Sequence, residues 1–364
     1  MRFPLAGLAL ALLAVAVAAR PAPVLAEAAT EARERAVVAA FVDDYARPSY
    51  AALHQATRAL EAATVRLCAT PDGPGRPALD AAFRDTVVAW ARVDFLRIGP
   101  ATQNARLERF AFWPDPRGFV ERQLRPILAE DGATMDLAWL AGRSAAVQGL
   151  PAFERLLMSP DADPKAADYP KRCRIAGLVA ANLRAIAGEL DAAWAAPDGI
   201  ARTLTTPGPD NPSYRTPAEA AGEVLKAIVT AIEQVRDLAI APALGSSAEA
   251  AKPNRFPYAR SGLTLVYLRA SVAAIGDLVT ASRFADDLPE DDAWARNSAL
   301  FELASAGRVL GRLDGDADWL ARTPPGREGL GYVVIALASV RSTLAGPIAA
   351  ALGLNVGFNA LDGD

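Results

Sequence analysis

The stretch IAGLVAANLRAIAGELDAAW, residues 175–194, decides the fold class. Apolar side chains return at every third or fourth residue along it, which is the period of an α-helix with one buried face. The positions on that face are Ile175, Leu178, Asn182, Ile186, Leu190 and Trp194. Only Asn182 is polar, so the stretch predicts an amphipathic helix with a single polar interruption.

The same period recurs on both sides of this stretch. Two further segments carry it, one with Leu79, Phe83, Val87, Trp90 and Val93, the other with Val224, Leu225, Ile228, Ile232, Val235 and Leu238. The alternating pattern of β-strands is absent. Abundant alanine adds helix propensity and allows close packing between helices. The sequence therefore predicts an all-α protein.

Turn-forming residues divide the chain into helices and two halves. Beyond the segments above, the pattern predicts helices at about 32–68, with a bend near Pro48, and at about 259–275, 291–313 and 327–352. The strongest break is residues 197–217, where prolines and glycines interrupt regular structure. We expect two up-and-down helical bundles, residues 27–200 and 214–364, joined by this break.

Composition places the chain among ordinary globular proteins. Its 364 residues are 52% hydrophobic and 22% charged, which is enough apolar material for a sizeable core. The formal net charge is -4, whereas a sequence-independent nucleic-acid binder needs a basic excess. We therefore expect no nucleic-acid partner.

Residues 1–26 are typical of a secretory signal peptide. Arg2 supplies a short positive region, residues 5–19 are apolar, and small residues precede a cleavage site after Ala26. The alternative is a retained N-terminal anchor. Charged residues interrupt every later apolar segment, so we expect no membrane span in the mature chain. The protein is predicted to be periplasmic.

The two cysteines, Cys68 and Cys173, are predicted to form a disulfide. An exported protein experiences an oxidising compartment, where two such thiols pair. Cys68 ends one helical pattern and Cys173 opens another, which suits a bond between helix ends. It would close a loop of about 100 residues and contribute up to roughly 4 to 5 kcal/mol in the chain-entropy treatment. The alternative is two buried free thiols.

Four strings, in this order, are similar to segments of one known family. They are FAFWPD at 110–115, QGLPAFE at 148–154, RSGL at 260–263 and GFNALDGD at 357–364. Together they resemble the imelysin family, in its imelysin-like branch. The resemblance implies an exported protein of two helical bundles with a site at their interface. Family members are linked to bacterial iron acquisition, and some were named as peptidases.

The second string resembles the family's GxHxxE motif, with Pro151 where the family has histidine. Only Glu154 keeps a metal-ligating side chain, so we expect weak metal binding there, of iron or another divalent ion. Apolar neighbours suggest that Glu154 is partly buried, and Arg260 is its expected cationic partner. The alternative is an ordinary solvated or locally paired helix residue. The resemblance implies a ligand site formed by Trp113, Asp115, Glu154, Arg260, Ser261, Asn359 and Asp362.

Other metal and catalytic patterns are weak or missing. His54 is the only histidine and lacks the context of a zinc site. Residues 314–318 resemble part of a calcium loop but lack its later glutamate, so a turn at a helix end is the better interpretation. We therefore expect a ligand-binding protein associated with iron uptake or another cell-envelope partner. The alternatives are a metallopeptidase, disfavoured by the missing histidine, and an interaction module without a small ligand.

Overall fold

The computed structural model describes residues 22–71, 73–130, 134–286 and 288–354, and within these ranges the regular structure is entirely helical. The longer helices are α1 (Ala22–Ala40), α2 (Arg47–Ala69), α3 (Arg76–Ala91), α5 (Phe119–Ala129), α8 (Tyr169–Ala195), α10 (Pro217–Glu233), α12 (Thr264–Ala281), α13 (Ala293–Arg312) and α15 (Pro324–Thr343). The shorter ones are α4 (Arg106–Phe110), α6 (Leu137–Ala141), α7 (Leu150–Phe153), α9 (Ile200–Thr205), α11 (Ala241–Leu244), α14 (Ala317–Arg322) and α16 (Ala349–Ala351). The predicted all-α fold class is confirmed.

Four π-helical turns connect helices within these ranges. They are Phe41–Ala46, Glu154–Met158, Gln234–Ile240 and Leu344–Ile348. The first lies just before Pro48, within the long helix predicted at 32–68 with a bend near that residue. Because this turn leads directly into α2, the missing N–H of Pro48 removes one bond from the helical hydrogen-bond ladder at the junction.

The N-terminal half centres on α2, which packs between α3 and α8. Its inward face carries Leu53, Leu60 and Leu67, spaced by seven residues and all fully buried. The predicted disulfide is present: Cys68 and Cys173 are bonded, with their Cα atoms 5.5 Å apart. The bond joins the last turn of α2 to the first turns of α8, as the helical patterns predicted.

The C-terminal half is built from α12, α13 and α15, with α13 packed against both of the others. Helix α12 starts at Thr264, five residues after the predicted start. Tyr258 and Gly262 have positive φ angles of 53° and 71°, which shape a turn that a helix cannot include. Arg260 and Ser261 therefore lie in this turn rather than on a helix.

Helices of the two halves pack directly on each other: α1 packs on α10, and α3 packs on α12. The buried apolar side chains of both halves form one continuous hydrophobic cluster. The predicted break at 197–217 contains the short helix α9 followed by a loop that leads into α10. The division into two bundles at residues 200–214 stays a prediction.

Two later apolar helices each carry charged residues, Arg269 and Asp277 in the first and Arg327, Glu328 and Arg341 in the second. The helices Thr264–Ala281 and Pro324–Ala351 are long and apolar enough to cross a membrane by length and composition. Because α12 packs on α3 and α13, and α15 packs on α13, we interpret both as core helices of the bundle. Most of the predicted signal, residues 1–21, lies outside the described residues.

Candidate functional site

A cavity of about 630 Å³ opens between the two halves. The N-terminal half contributes residues near the end of α3, the segment 107–121 and the start of the Glu154–Met158 turn. The C-terminal half contributes the Gln234–Ile240 turn, the segment 254–260 and Tyr267 on α12. A cavity of this size accommodates a small organic molecule. It is the best candidate for the interface site that the sequence suggested.

Glu154 is one of two buried carboxylates in the wall of this cavity. Only 6% of the residue is exposed. Its Oε1 accepts hydrogen bonds from the Ser261 backbone N–H at 2.9 Å and from the Ser261 hydroxyl at 2.7 Å. Burial raises the pKa of Glu154 above its ordinary value, and these hydrogen bonds oppose the rise. The motif glutamate is thus tied to the C-terminal half.

The expected direct pair between Glu154 and Arg260 is wrong. Among the described residues, the salt bridges within 4 Å include none between these two side chains, and the hydrogen-bond donor is Ser261. Arg260 acts through its positive charge and its backbone N–H, both of which lower the pKa of Glu154. The reason is the turn before α12, which points the N–H and hydroxyl of Ser261 at the carboxylate.

Pro151 lies at the start of α7, directly after Gly149 and Leu150. Because Pro151 lies in the first turn of this helix, its missing N–H has no intrahelical role. Gly149 is required here, because a Cβ on it would lie 2.3 Å from the carbonyl oxygen of Phe110. This close approach holds the motif against the end of α4. Both Pro151 and Glu154 line the cavity.

Asp94 is the second buried carboxylate, and the sequence analysis did not single it out. It is 7% exposed and lies in the turn that follows α3. Its Oδ2 accepts a hydrogen bond of 2.7 Å from the Tyr267 hydroxyl, which in turn accepts one of 3.2 Å from the Gln234 side-chain amide. Its Oδ1 has no hydrogen-bond partner among the described residues.

Burial raises the pKa of Asp94 to about 7. The Tyr267 hydrogen bond, further donors on Gln234 and the Phe95 backbone, and the Arg97 charge partly offset this rise. A carboxyl group that titrates near neutrality inside a cavity is a recognised mark of functional sites. The signal available in the sequence was a charged residue within the apolar run Val93 to Leu96. Such a position needs a buried partner, which the sequence alone could not name.

Aromatic rings form much of the remaining wall. Tyr267 lies between Trp113 and Tyr258, at ring-centroid distances of 6.4 Å and 5.5 Å. Trp90 also lines the cavity and stacks on Phe110, which is itself fully buried in the core. The Trp113–Pro114 peptide bond is cis. The predicted site residue Trp113 is therefore at the cavity.

Asp115 lines the cavity, but its carboxylate is already hydrogen-bonded to the protein backbone. Its two oxygens accept hydrogen bonds from the backbone N–H groups of Phe119 and Val120, at 2.8 Å and 2.9 Å. This caps the first turn of α5, whose N–H groups lack intrahelical partners. Asp115 is thus placed as predicted, with both oxygens already engaged.

Four arginines also line the cavity: Arg97, Arg155, Arg255 and Arg260. Arg155 is occupied, because it pairs with Glu121 and, at 2.6 Å, with Asp161. The hydrogen bond from Arg155 lowers the pKa of Glu121. Arg97 lies three residues after Asp94, beyond the turn that follows α3, and its Nε is buried without a hydrogen-bond partner among the described residues.

The seven predicted site residues divide into three groups. Trp113, Asp115, Glu154 and Arg260 line the cavity. Ser261 is outside the cavity lining and donates its hydroxyl hydrogen bond to Glu154. Asn359 and Asp362 lie outside the described residues. Their shared role in ligand binding stays a prediction, and the structure adds Asp94, Arg97, Gln234, Tyr258 and Tyr267 to the candidate site.

The donor set of the described residues does not form a metal centre of three or more protein ligands. Within the described ranges no three His, Cys, Asp or Glu side chains come together as a metal site. The two cysteines are bonded to each other, and His54 binds Asp191 at 2.9 Å with about a third of each side chain exposed. Glu154 is the only metal-type residue retained from the motif, and its Oε1 already accepts two hydrogen bonds.

The solved structures that share this fold include the following two. An imelysin-like protein from Psychrobacter arcticum 273-4 matches with a TM-score of 0.74 and 18% identity, over 90% of this chain and 98% of that one. A protein described as a candidate iron-regulated protein A precursor, from Parabacteroides distasonis ATCC 8503, matches with a TM-score of 0.69 and 16% identity, over 92% and 97%. At these identities the likeness establishes the fold.

A search of curated proteins finds no significant match. The family model for imelysin, Peptidase_M75, matches residues 46–344, which include the cavity and both halves that form it. Because this match spans most of the sequence, the chain belongs to the imelysin family.

Proposed function

We propose that this protein is an exported binding protein of the cell envelope, associated with iron acquisition, whose ligand occupies the cavity between the two halves. The observation that carries this proposal is Asp94. A carboxylate that is buried in a cavity wall and has one oxygen without a partner is costly for an isolated protein, and a bound ligand would supply the missing partner.

The local helix geometry supports the same site. The turns Glu154–Met158 and Gln234–Ile240 are π-helical, and each begins with a residue that lines the cavity. π-Helical turns interrupt the regular i to i−4 hydrogen-bond ladder and occur frequently at functional sites. Two of them, one from each half, reach the same cavity.

The association with iron is supported by similarity to one of the solved structures. The neighbour from Parabacteroides distasonis carries iron regulation in its name. The disulfide is consistent with an oxidising compartment, and therefore with export. The donor set favours a ligand other than a bare ion held by three or four side chains. We do not propose peptidase activity, because Pro151 replaces the motif histidine.

Native mass spectrometry of the protein secreted into the periplasm tests the binding function. We expect the mass of a chain cleaved after Ala26. We also expect the added mass of a bound small molecule, at close to one molecule per chain. Ala259→Trp should remove the adduct, because Ala259 lines the cavity and an indole would fill it. The matched control is Ala304→Trp at an exposed position of α13, which should keep it.

An adduct that persists in a folded Ala259→Trp variant would place the ligand elsewhere and reject the proposed site. A protein that carries no adduct under any growth condition would favour the interaction-module alternative. The link to iron is tested separately, by the abundance of the protein with and without an iron chelator. Equal abundance would remove iron from the proposal and leave the binding site intact.

A further inference from the structure

Two buried groups of opposite charge lack partners at the same cavity. They are Oδ1 of Asp94, an acceptor, and Nε of Arg97, a donor, and neither has a hydrogen-bond partner among the described residues. Both residues line the cavity and lie three positions apart in the chain. Buried polar atoms in native proteins are almost always paired with protein or with a bound molecule.

The hydrogen bonds at the other oxygen of Asp94 show that the carboxylate is held in a fixed orientation. Tyr267 donates to Oδ2, and the Gln234 amide donates to the Tyr267 oxygen, so three side chains fix the orientation of the carboxylate. All three are buried. The carboxylate is therefore held with one oxygen engaged and the other buried without a hydrogen-bond partner among the described residues.

We propose that this end of the cavity binds an α-amino-acid-type zwitterion with an apolar side chain, its ammonium group on Asp94 Oδ1 and its carboxylate on Arg97. This inference rests on the proposed function and names the ligand class for the same site. An α-amino acid carries a cationic donor and an anionic acceptor on one carbon. It would satisfy both unpaired groups at once, whereas a simple amine or a simple carboxylate would leave one of them unsatisfied.

The rest of the cavity suits the remainder of such a ligand. Trp90, Trp113 and Tyr258 present aromatic surface there, and the volume of about 630 Å³ exceeds what an ammonium and a carboxylate fill. Small-molecule sites commonly combine apolar walls with a few polar groups that orient the ligand. The further charged residues that line this space are of both signs, so the wall does not select a purely cationic or anionic molecule. They are Glu108, Asp115, Glu121, Glu154, Arg155, Arg255 and Arg260.

Isothermal titration calorimetry with three probes tests the proposal. The probes are L-phenylalanine, 2-phenylethylamine, which lacks the carboxylate, and 3-phenylpropionate, which lacks the amine. We expect L-phenylalanine to bind at least about tenfold more tightly than either analogue, because each analogue leaves one buried group unpaired. Equal affinity of an analogue and L-phenylalanine, or binding of none of the three, would overturn the proposal.

Two substitutions assign the ends of the ligand. Asp94→Asn should weaken L-phenylalanine and 2-phenylethylamine but leave 3-phenylpropionate unchanged. Arg97→Gln should weaken L-phenylalanine and 3-phenylpropionate but leave 2-phenylethylamine unchanged. The controls are Asp85→Asn, exposed on α3, and Arg312→Gln, exposed at the end of α13. Uniform weakening of all three probes in both variants would contradict the assignment.

The outcome can be separated from that of the proposed function. If the periplasmic adduct is found and is lost in Ala259→Trp, but L-phenylalanine does not bind, the ligand class is wrong and the site remains. If no adduct is found and no probe binds, both proposals fail.

Discussion

At the scale of single residues, the site is governed by two carboxylates that are buried in the cavity wall. Asp94 and Glu154 both have pKa values raised by desolvation, and each is held by specific hydrogen bonds from the C-terminal half. Tyr267 and Ser261 are the donors. Each carboxylate therefore connects the two halves and faces their common cavity.

Asp94 should make folding stability depend on pH. Its pKa is about 7 in the folded protein and near 4 when unfolded, so its stabilising contribution is complete below about pH 4. The contribution is lost as the pH rises through 7, because the ionised carboxylate must then remain buried. Relative to Asp94→Asn, the wild-type protein should lose on the order of 3 kcal/mol of unfolding free energy between pH 4 and pH 8.

Urea unfolding at several pH values measures this difference, with the exposed Asp85→Asn on α3 as the control. The control should follow the wild-type curve. Parallel stability curves for the wild type and Asp94→Asn would mean that the folded pKa of Asp94 is ordinary.

Removing the Ser261 hydroxyl, which donates to Glu154, should lower the stability of the folded protein. Ser261→Ala removes the hydroxyl donor at 2.7 Å and leaves the backbone N–H in place. Leaving a buried charged group with one hydrogen bond fewer should lower the free energy of unfolding by about 1.5 to 3 kcal/mol. Chemical denaturation checks this against Ser342→Ala, at an exposed position of α15. Equal stability of the two variants would argue that the hydroxyl contributes nothing.

Pro151→His tests whether the lost motif histidine explains weak metal binding. Pro151 and Glu154 line the same cavity three residues apart, so an imidazole at 151 would add a nitrogen ligand beside the carboxylate. We expect a higher Zn²⁺ affinity by calorimetry, and we expect Glu154→Gln to cancel the gain. Tight metal binding by the unmodified protein, unaffected by Pro151→His, would contradict this explanation.

The sequence identified one half of the residue-scale site and missed the other. Glu154, Ser261 and Trp113 lie in sequence strings that resemble segments of the family. The resemblance therefore identified them as site residues. Asp94 and Tyr267 lie in no such string, and their contact joins residues 173 positions apart. A pairing of that separation depends on how α3 packs on α12, which no local pattern specifies.

At the scale of elements, helices were predictable and their irregular turns were not. The three- to four-residue period of apolar side chains predicted α8, α10 and α3, since an amphipathic helix must bury one face. The π-helical turns at Phe41–Ala46 and Gln234–Ile240 leave no clear mark in that period. They depend on tertiary packing, such as the contact of Gln234 with Tyr267.

The disulfide between α2 and α8 gives a prediction at this scale. Bonding Cys68 to Cys173 restricts the unfolded chain over 105 residues of separation. Reduction should therefore lower the free energy of unfolding by up to about 4 to 5 kcal/mol in the chain-entropy treatment. Unfolding with and without reductant measures this, and thiol titration of the denatured, unreduced protein should find no free thiol. Two free thiols would reject the bond.

At the scale of the whole molecule, the two halves share a core on one side and enclose a cavity on the other. The contacts of α1 with α10 and of α3 with α12 close the core, and the turns at Glu154 and Gln234 open onto the cavity. This arrangement explains why the family-like strings are far apart in the sequence. The strings at 110–115 and 148–154 belong to one wall, and the string at 260–263 belongs to the other.

The central claim is that this cavity is a ligand site completed by a molecule the chain does not itself supply. A crystal structure of the protein purified without denaturation from the periplasm tests it most directly. The account predicts non-protein electron density in the cavity, with a donor atom within hydrogen-bond distance of Asp94 Oδ1. A structure in which a side chain of the protein donates to Oδ1 and the cavity is closed would contradict the account.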